Sequence, residues 1–568
     1  MESTKLQIAR AIGLATEMPK RQIAELLESP PDPALGDLAF PCFALAKRLK
    51  KNPQLIASDL AKKIKLPKSS LIKKTQATGP YVNFFFDPKA LAKCTLARVL
   101  KQKARYGAGP RKRKKVMIEF SNPNTHKAFH VGHLRNACIG DALVRTVRFY
   151  GYPVVSANYI NDTGAHVARC LWCYLKFHKG EEPTSGKANW LSKIYVEAVR
   201  RLPKSSAYKQ EVAELHKKLE AGDQALVNLW QRTRQWSLDE LKKIYDELGV
   251  HFDAWFFDNK LAGPGKAIVN QLLKANIAKT SEGAIIVDLK EYGLDIALLL
   301  KSDGTALYLT KDLALAKEKF EKYKIDMSVY VVAAPQTLHF KQLFKILELA
   351  HFHQAKNCFH LPYELVMLKE GKMASRLGNV VFYTELAKKV KIKALHEVTK
   401  RNPKLSVDKR KDVAKKVAIA ALKYGMLKQS NNKVIIFDWK AALDFEGNTG
   451  PYLQYALVRA KKIMAKAGKK VSKSDLNALK NTEEFSLVKR IAEFPTIIEK
   501  TAQSYQPHLL ANYSYNLAQA FNSFYESCPV IQATPKELMS ARLALVAAFS
   551  QTLKNALNLL GIEEVELM

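Results

Sequence analysis

Apolar positions along the chain follow two different periods. Around Lys20–Leu27, Ala44–Leu49 and Ile56–Ile64 they recur at three- and four-residue steps, which predicts helices. Tyr81–Phe86 is a continuous apolar run between Gly79-Pro80 and Asp87-Pro88, which predicts a strand. Tyr106–Lys115, with Gly107, Gly109 and Pro110, reads as a linker. From Val116 to about Val381, short apolar runs alternate with helical patterns. Val116–Phe120, Pro153–Ile160, Ala284–Leu289 and Val329–Ala334 are the expected strands. Leu134–Phe149 and Leu309–Phe320 are expected helices between them. Such alternation predicts an α/β domain with a doubly wound, parallel, Rossmann-like sheet. Residues from about 165 to 280 are mostly helical and polar, and look like an insertion. From about Tyr383 onward the pattern is helical throughout, as in Val546, Phe549, Leu553, Ala556 and Leu560.

The chain therefore reads as multidomain, α/β plus all-α. An N-terminal α+β domain covers 1–110 and the α/β domain 111–385. A helical connector covers 386–448 and a C-terminal helical bundle 449–568.

Charge narrows the partner. The 568 residues carry 91 Lys and Arg against 53 Asp and Glu, a formal net charge of +38. A hydrophobic content of 47% excludes a disordered basic tail. No apolar run reaches membrane-spanning length, and Met1–Arg10 has no secretory pattern. Seven scattered cysteines suggest reduced thiols and a cytoplasmic protein. A folded protein with this charge faces a polyanion, with nucleic acid the first candidate. A Lys-rich surface without a partner and an anionic membrane face are the other readings.

The most informative segment runs from Glu119 to Asn136, where the first strand turns into the first helix. Ligands of open parallel sheets bind at such a point, and the helix N-terminus offers free N–H groups to phosphate. His130 and His133 flank Gly132, with Lys127 nearby. Alone, an H-x-x-H pair is as readily a helix start or a metal pair.

His130-Val-Gly-His133, preceded by Ser121-Asn-Pro-Asn124, Lys127 and Phe129, resembles the signature of the arginyl-tRNA synthetases, class I enzymes. Asp303–Asp312, Tyr330–Gln336 and His339-Phe340 resemble its later sheet motifs. Lys372–Asn379 resembles its mobile Lys-Met-Ser-Lys-Ser loop. Gly36-Asp37 and Gly79–Phe84 resemble its N-terminal domain, and Gly450–Ala456 the start of its DALR anticodon-binding domain.

The resemblance implies a two-step reaction. Arginine is activated by ATP to arginyl-adenylate, and the arginyl group then passes to the 3′-terminal ribose of tRNA(Arg). Lys127, His130, His133, Lys372 and Arg376 are the implied catalytic residues. Lys127, His130, Gly132, His133, Met373 and Ser375 are implied to hold ATP. Ser375 stands where many class I enzymes carry a second Lys, and Lys127 is implied to supply that charge. Glu119, Asn122, Asn124, His130, Tyr308, Asp312 and Gln336 are implied to hold arginine, with Tyr308 and Asp312 at its guanidinium. Asn83 and Phe84 would touch the tRNA elbow, with core packing the other reading of Phe84. Tyr455 and Arg459 would face the anticodon. Magnesium is expected only with ATP, no tightly bound structural metal is expected, and a monomer is the family expectation.

Three matters stay open at this point. Trp230, Arg232, Arg234 and Trp236 are tRNA acceptor-end contacts or packing. Cys170 and Cys173, with His166 four residues earlier, are buried thiols or half of a metal site. The rival functions are another synthetase of the same class or a small adenylyltransferase, and a non-enzymatic RNA-binding protein on a decayed synthetase scaffold.

Overall fold

A computed structural model describes residues 2–67, 70–368, 381–438, 441–444, 446–468 and 475–568. It divides into two compact units, residues 1–107, 456–499 and 513–555, and residues 108–455, 500–512 and 556–568.

In the first unit, strands β1 (Leu38–Pro41), β2 (Ile72–Thr78) and β3 (Tyr81–Phe86) form an antiparallel sheet in the order β1-β3-β2. Gly79 sits at φ 55° in the tight turn that joins β2 to β3, a conformation that suits glycine. The Pro88–Gln102 helix starts at Asp87, whose carboxylate accepts from the Lys89 and Ala90 N–H groups. This N-terminal part packs on C-terminal helices of the same unit. Tyr106 donates its hydroxyl to Ile491 O at 2.9 Å and stacks on Phe494. Lys489 pairs with Asp37 at 2.6 Å.

The second unit holds the parallel sheet. Its strands are β4 (Val116–Glu119), β5 (Val154–Ile160), β6 (Ala254–Phe257), β10 (Met327–Ala333) and β11 (Cys358–Tyr363). Their order is β11-β10-β4-β5-β6, all parallel. The chain runs outward from β4 through β5 to β6, then returns to add β10 and β11 on the other side. The switch point lies between β4 and β10, so their carboxyl ends open the crevice where ligands bind.

Alternation along β4 decides what each face meets. Phe120 faces the Val131–Phe149 helix so closely that a Cβ on Gly140 would lie 2.0 Å from its ring. Met117 faces the opposite way, into a core with Val155, Phe256, Leu315 and Phe320. Leu315 and Phe320 belong to the Tyr308–Tyr323 helix. Glu119, two residues after Met117, therefore also faces that helix.

Several strands differ from expectation. Ala284–Leu289 was expected in the parallel sheet. Instead β8 (Ala284–Asp288) lies between β7 (Lys279–Ser281) and β9 (Ile296–Leu300) in a separate antiparallel sheet. An apolar run marks a strand but not its partner. β6 lies inside the stretch expected to be an inserted helical region, yet pairs with β5. At four residues it is too short for its aromatic run to be told from a helix. The C-terminal stretch is not wholly helical: β13 (Ile435–Phe437) pairs in parallel with β12 (Val366–Leu368).

Candidate active site

The segment between β4 and the Val131–Phe149 helix is strained and held from all sides. Ser121, Asn122 and His126 sit at φ of 75°, 45° and 61°. Each such residue costs on the order of 1 kcal/mol or more and persists only where its surroundings fix it. Ser121 donates its N–H to Asn136 Oδ1 at 2.6 Å, and its hydroxyl meets Tyr245 OH at 2.7 Å. Asn122 donates Nδ2 to Glu119 Oε1 at 3.0 Å.

His126 is fully buried. Its N–H donates to Ser237 Oγ at 3.0 Å, and its Nε2 lies 2.8 Å from Thr233 Oγ1. The Thr233 hydroxyl donates to Leu229 O at 2.8 Å, so it accepts from His126 Nε2–H. Burial pushes His126 down to about 3, so it is neutral. The Gln224–Leu248 helix, which carries Thr233 and Ser237, is thereby tied to the loop. Nothing in the local pattern signals this tie beyond an unassigned His inside the motif.

His130 is the N-cap of the next helix. Its Nδ1 accepts from Gly132 N–H at 3.1 Å and His133 N–H at 3.4 Å. His133 Nδ1 in turn accepts from His130 N–H at 3.2 Å. The rings stack with centroids 3.8 Å apart. Both Nδ1 atoms are acceptors, so in the neutral rings the proton sits on Nε2. Burial, reinforced by the Lys127 charge, lowers His130 to about 4. Burial, then the charges of His130 and Lys127, lowers His133 as well. The pair thus presents two neutral imidazoles, each with an Nε2–H to donate.

A cleft of about 550 Å³ opens here at the ends of β4 and β10. Glu119, Asn122, Asn124, His130, Gly132, His133, Tyr308, Asp312 and Gln336 all line it. Asp312 Oδ2 lies 2.6 Å from His339 Nε2. Glu119 makes a close ion pair with Lys319, and both are buried. Burial pushes the Glu119 carboxyl up, while the Lys319 ammonium pulls it back. Neither Lys319 nor His339 was singled out from the sequence as an arginine-site residue, since a Lys on a Lys-rich helix carries no mark of burial. A second cavity of about 690 Å³ shares Asn124, His130 and His133 with the first. Lys127, Lys193, Arg200, Arg201 and Lys204 line it, with Lys127 Nζ 5.0 Å above the Tyr195 ring.

Other expected residues fall elsewhere. Phe84 is fully buried and Asn83 is 2% exposed, both inside the β3 pairing. They are core residues here and do not present a surface to tRNA; alternation cannot tell a buried strand face from a binding face. Tyr455 is half-buried, and Arg459 donates to Asn522 Oδ1 at 2.8 Å while lying over Tyr525. Trp230 donates to Asp162 O at 2.7 Å, and Arg234 pairs with the buried Asp162 at 2.7 Å, so both work in internal packing. Arg232 pairs with Glu182 at 2.9 Å and lies over Trp236. Lys372, Met373, Ser375 and Arg376 lie outside the described residues.

The thiols of Cys170 and Cys173 are buried, and burial raises both. Cys173, His178 and Glu197 bring donor atoms within 4.8 Å of one another, a set that includes neither Cys170 nor His166. His178 already lies 2.6 Å from Glu181 and 2.9 Å from Glu197, and Glu197 accepts from Arg201 at 2.6 Å. With the Arg201 cation in contact, the group is an ion-pair cluster between helices.

Three family descriptions match in chain order: "Arginyl tRNA synthetase N terminal domain" over residues 2–86, "tRNA synthetases class I (R), catalytic domain" over 95–439, and "DALR anticodon binding domain" over 453–568. The chain belongs to the arginyl-tRNA synthetase family. An arginine–tRNA ligase of Clostridium perfringens is 38% identical over 575 residues, covering 100% of each chain. One from Bdellovibrio bacteriovorus is 40% identical, covering 96% of this chain and 94% of that one. The Thermus thermophilus arginyl-tRNA synthetase structure aligns with a TM-score of 0.86 at 28% identity, covering 99% of both chains. As a member of this family the chain is a class I ligase that charges tRNA with arginine. Among the described residues no helix is long and apolar enough to cross a membrane.

Proposed function

We propose that arginine lies in the 550 Å³ cleft and that the ATP phosphates meet the histidine-capped helix start beside it. The arginine carboxylate attacks the α-phosphorus, forming the adenylate and releasing pyrophosphate. The arginyl group then passes to the terminal ribose of tRNA(Arg), releasing AMP. Neither step needs a covalent bond to protein. Both need in-line positioning and hydrogen-bond donors aimed at phosphate oxygens as charge builds there.

His130 and His133 fit that need. Their Nδ1 atoms are engaged with backbone, so each ring is pre-oriented to donate Nε2–H. Gly132 lets phosphate and backbone approach. Lys127, in the adjoining basic cavity, adds the cation that the Lys372–Asn379 loop lacks at Ser375. Lys372, Met373 and Arg376 would complete the phosphate site, with Mg2+ entering as part of the ATP complex. Asp312 and Tyr308, one helical turn apart, would face the guanidinium. Glu119 and Asn122 lie beneath, and Asn124 and Gln336 at the α-amino end.

The basic cavity along the Lys187–Arg201 helix would guide the tRNA 3′ end toward the histidines. The N-terminal block would grip the tRNA elbow and the C-terminal helices read the anticodon, with Tyr455 and Arg459 as candidates. A cytoplasmic monomer is the corresponding cellular form.

The observation that carries this reading is the meeting of two neutral, helix-capping histidines and a lone-turn Tyr308/Asp312 pair in one cleft. Aminoacylation of total tRNA with labelled arginine tests it, with each of the twenty amino acids compared in tRNA-supplemented ATP–pyrophosphate exchange. Exchange driven by another amino acid, or none by arginine, would refute it.

A further inference from the structure

Lys319 is fully buried, yet it sits on a helix whose neighbours Lys317, Glu318 and Lys322 reach solvent. It follows Asp312 by seven residues, two helical turns, so both point the same way. That face covers the one on which β4 presents Glu119. The result is a floor of three charges beneath the arginine cleft: Glu119, Asp312 and Lys319. The Lys319 Nζ touches Glu119 Oε2 and lies 3.7 Å above the Tyr330 ring. Asn122 Nδ2 holds the other Glu119 oxygen at 3.0 Å.

A buried lysine is costly to place, and a buried ion pair taken whole can be replaced by apolar residues of similar volume without loss. Two carboxylates in one low-dielectric pocket have the opposite difficulty, because one of them takes up a proton. We infer that Lys319 is a positioning residue for arginine selection, keeping Glu119 ionised and fixed and setting the charge of the pocket to match one guanidinium. Two carboxylates and one ammonium in this floor leave a single negative charge, which the substrate cancels. This inference rests on the cleft being the arginine site.

The groups around Glu119 are few. Lys319 and Asp312 face it from the Tyr308–Tyr323 helix, Tyr330 from β10 and Tyr159 from β5. Asn122 comes from the loop, Cys358 of β11 lies next to Tyr330, and His339 stands behind on Asp312. In the parent protein the Lys319 ammonium against Oε2 favours the ionised carboxylate, so arginine binding is expected to move no proton at Glu119. Without Lys319, Asp312 and burial together keep Glu119 protonated. Arginine must then expel that proton, and its affinity becomes pH-dependent.

The test compares the arginine KM of the parent, K319M and K319R across pH 6–8.5. For K319M the arginine KM is expected to be raised at least about tenfold at pH 6.5 and to fall by up to about tenfold per pH unit, as one released proton requires. The ATP KM and the K319R profile should follow the parent. Arginine titrations in buffers of different ionisation enthalpy should show a proton released on binding to K319M alone. A K319M enzyme with an unchanged arginine KM, or one raised equally at every pH, overturns the inference. If K319M does not accumulate folded, K319M combined with E119Q decides. It should fold and show a high, pH-independent arginine KM, and a sloping or parental profile overturns the idea. An Asp312→Asn enzyme with parental arginine KM would instead refute the placement of arginine itself.

Discussion

His130 and His133 cap one helix between them, each imidazole accepting at Nδ1 from the backbone N–H of the other. The arrangement depends on Gly132, because a Cβ there would lie 2.9 Å from His130 Cε1. Gly132→Ala should push the His130 ring off its cap and spoil the aim of its Nε2–H. ATP–pyrophosphate exchange should then fall on the order of 100-fold, as when one transition-state donor is lost. A rate within about twofold of the parent would show that the caps are only structural.

The buried histidines also set a pH limit. Folding holds His126 near 3 and His130 near 4, against an ordinary value of 6.5. The unfolded chain therefore binds these protons first. The stability they contribute is complete above pH 6.5 and is lost as pH falls toward 4. For His126, which is fully buried, the loss is about 2 kcal/mol by pH 5. Urea midpoints should be level from pH 7 to 8 and drop below 6.5. His126→Gln should be less stable at neutral pH and show a shallower drop, and an equally steep one would contradict the assignment.

Asp312, the other carboxylate of the cleft, pairs with His339 and, among the described residues, with no lysine. Asp312→Asn keeps the shape and removes the charge. Steady-state kinetics should show an arginine KM raised by about 2–3 kcal/mol of lost binding, roughly 30- to 150-fold, with the ATP KM little moved. Equal damage to both constants would point to misfolding.

With the ATP phosphates placed as proposed, Lys127→Ala should slow pyrophosphate exchange at least about tenfold while leaving arginine affinity intact. Lys127→Arg should recover part of the rate. An alanine variant with parental exchange would mean that the cation comes from elsewhere.

In the first unit, Glu484 pairs with Arg542 at 2.7 Å and also accepts from the Lys480 and Asn481 N–H groups. Both side chains are buried. Glu484→Ala strands a guanidinium and two donors, so thermal or urea unfolding should show a loss of about 3–5 kcal/mol. A loss under about 1 kcal/mol would mean that water replaces the pair.

Periodicity and motif spacing were enough to predict β4, β5, β10 and the first helix of the α/β unit, because each is an amphipathic or fully apolar run of ordinary length. The candidate residues came from the family resemblance of two local strings, Glu119–His133 and Tyr308–Asp312, which the fold brings to one cleft. What the tertiary structure decided is everything that joins distant segments. Short β6 and β11 are strands because β5 and β10 pair with them. β8 left the parallel sheet because its partners are β7 and β9. Asn83 and Phe84 became core, since a strand buried on both faces shows no alternation. His126 reached Thr233, Asp312 reached His339, and Lys319 reached Glu119, over sequence separations that leave no local pattern. A lysine reads as surface until a strand end is found beneath it, and only the packing of one helix on one sheet face brings it to Glu119.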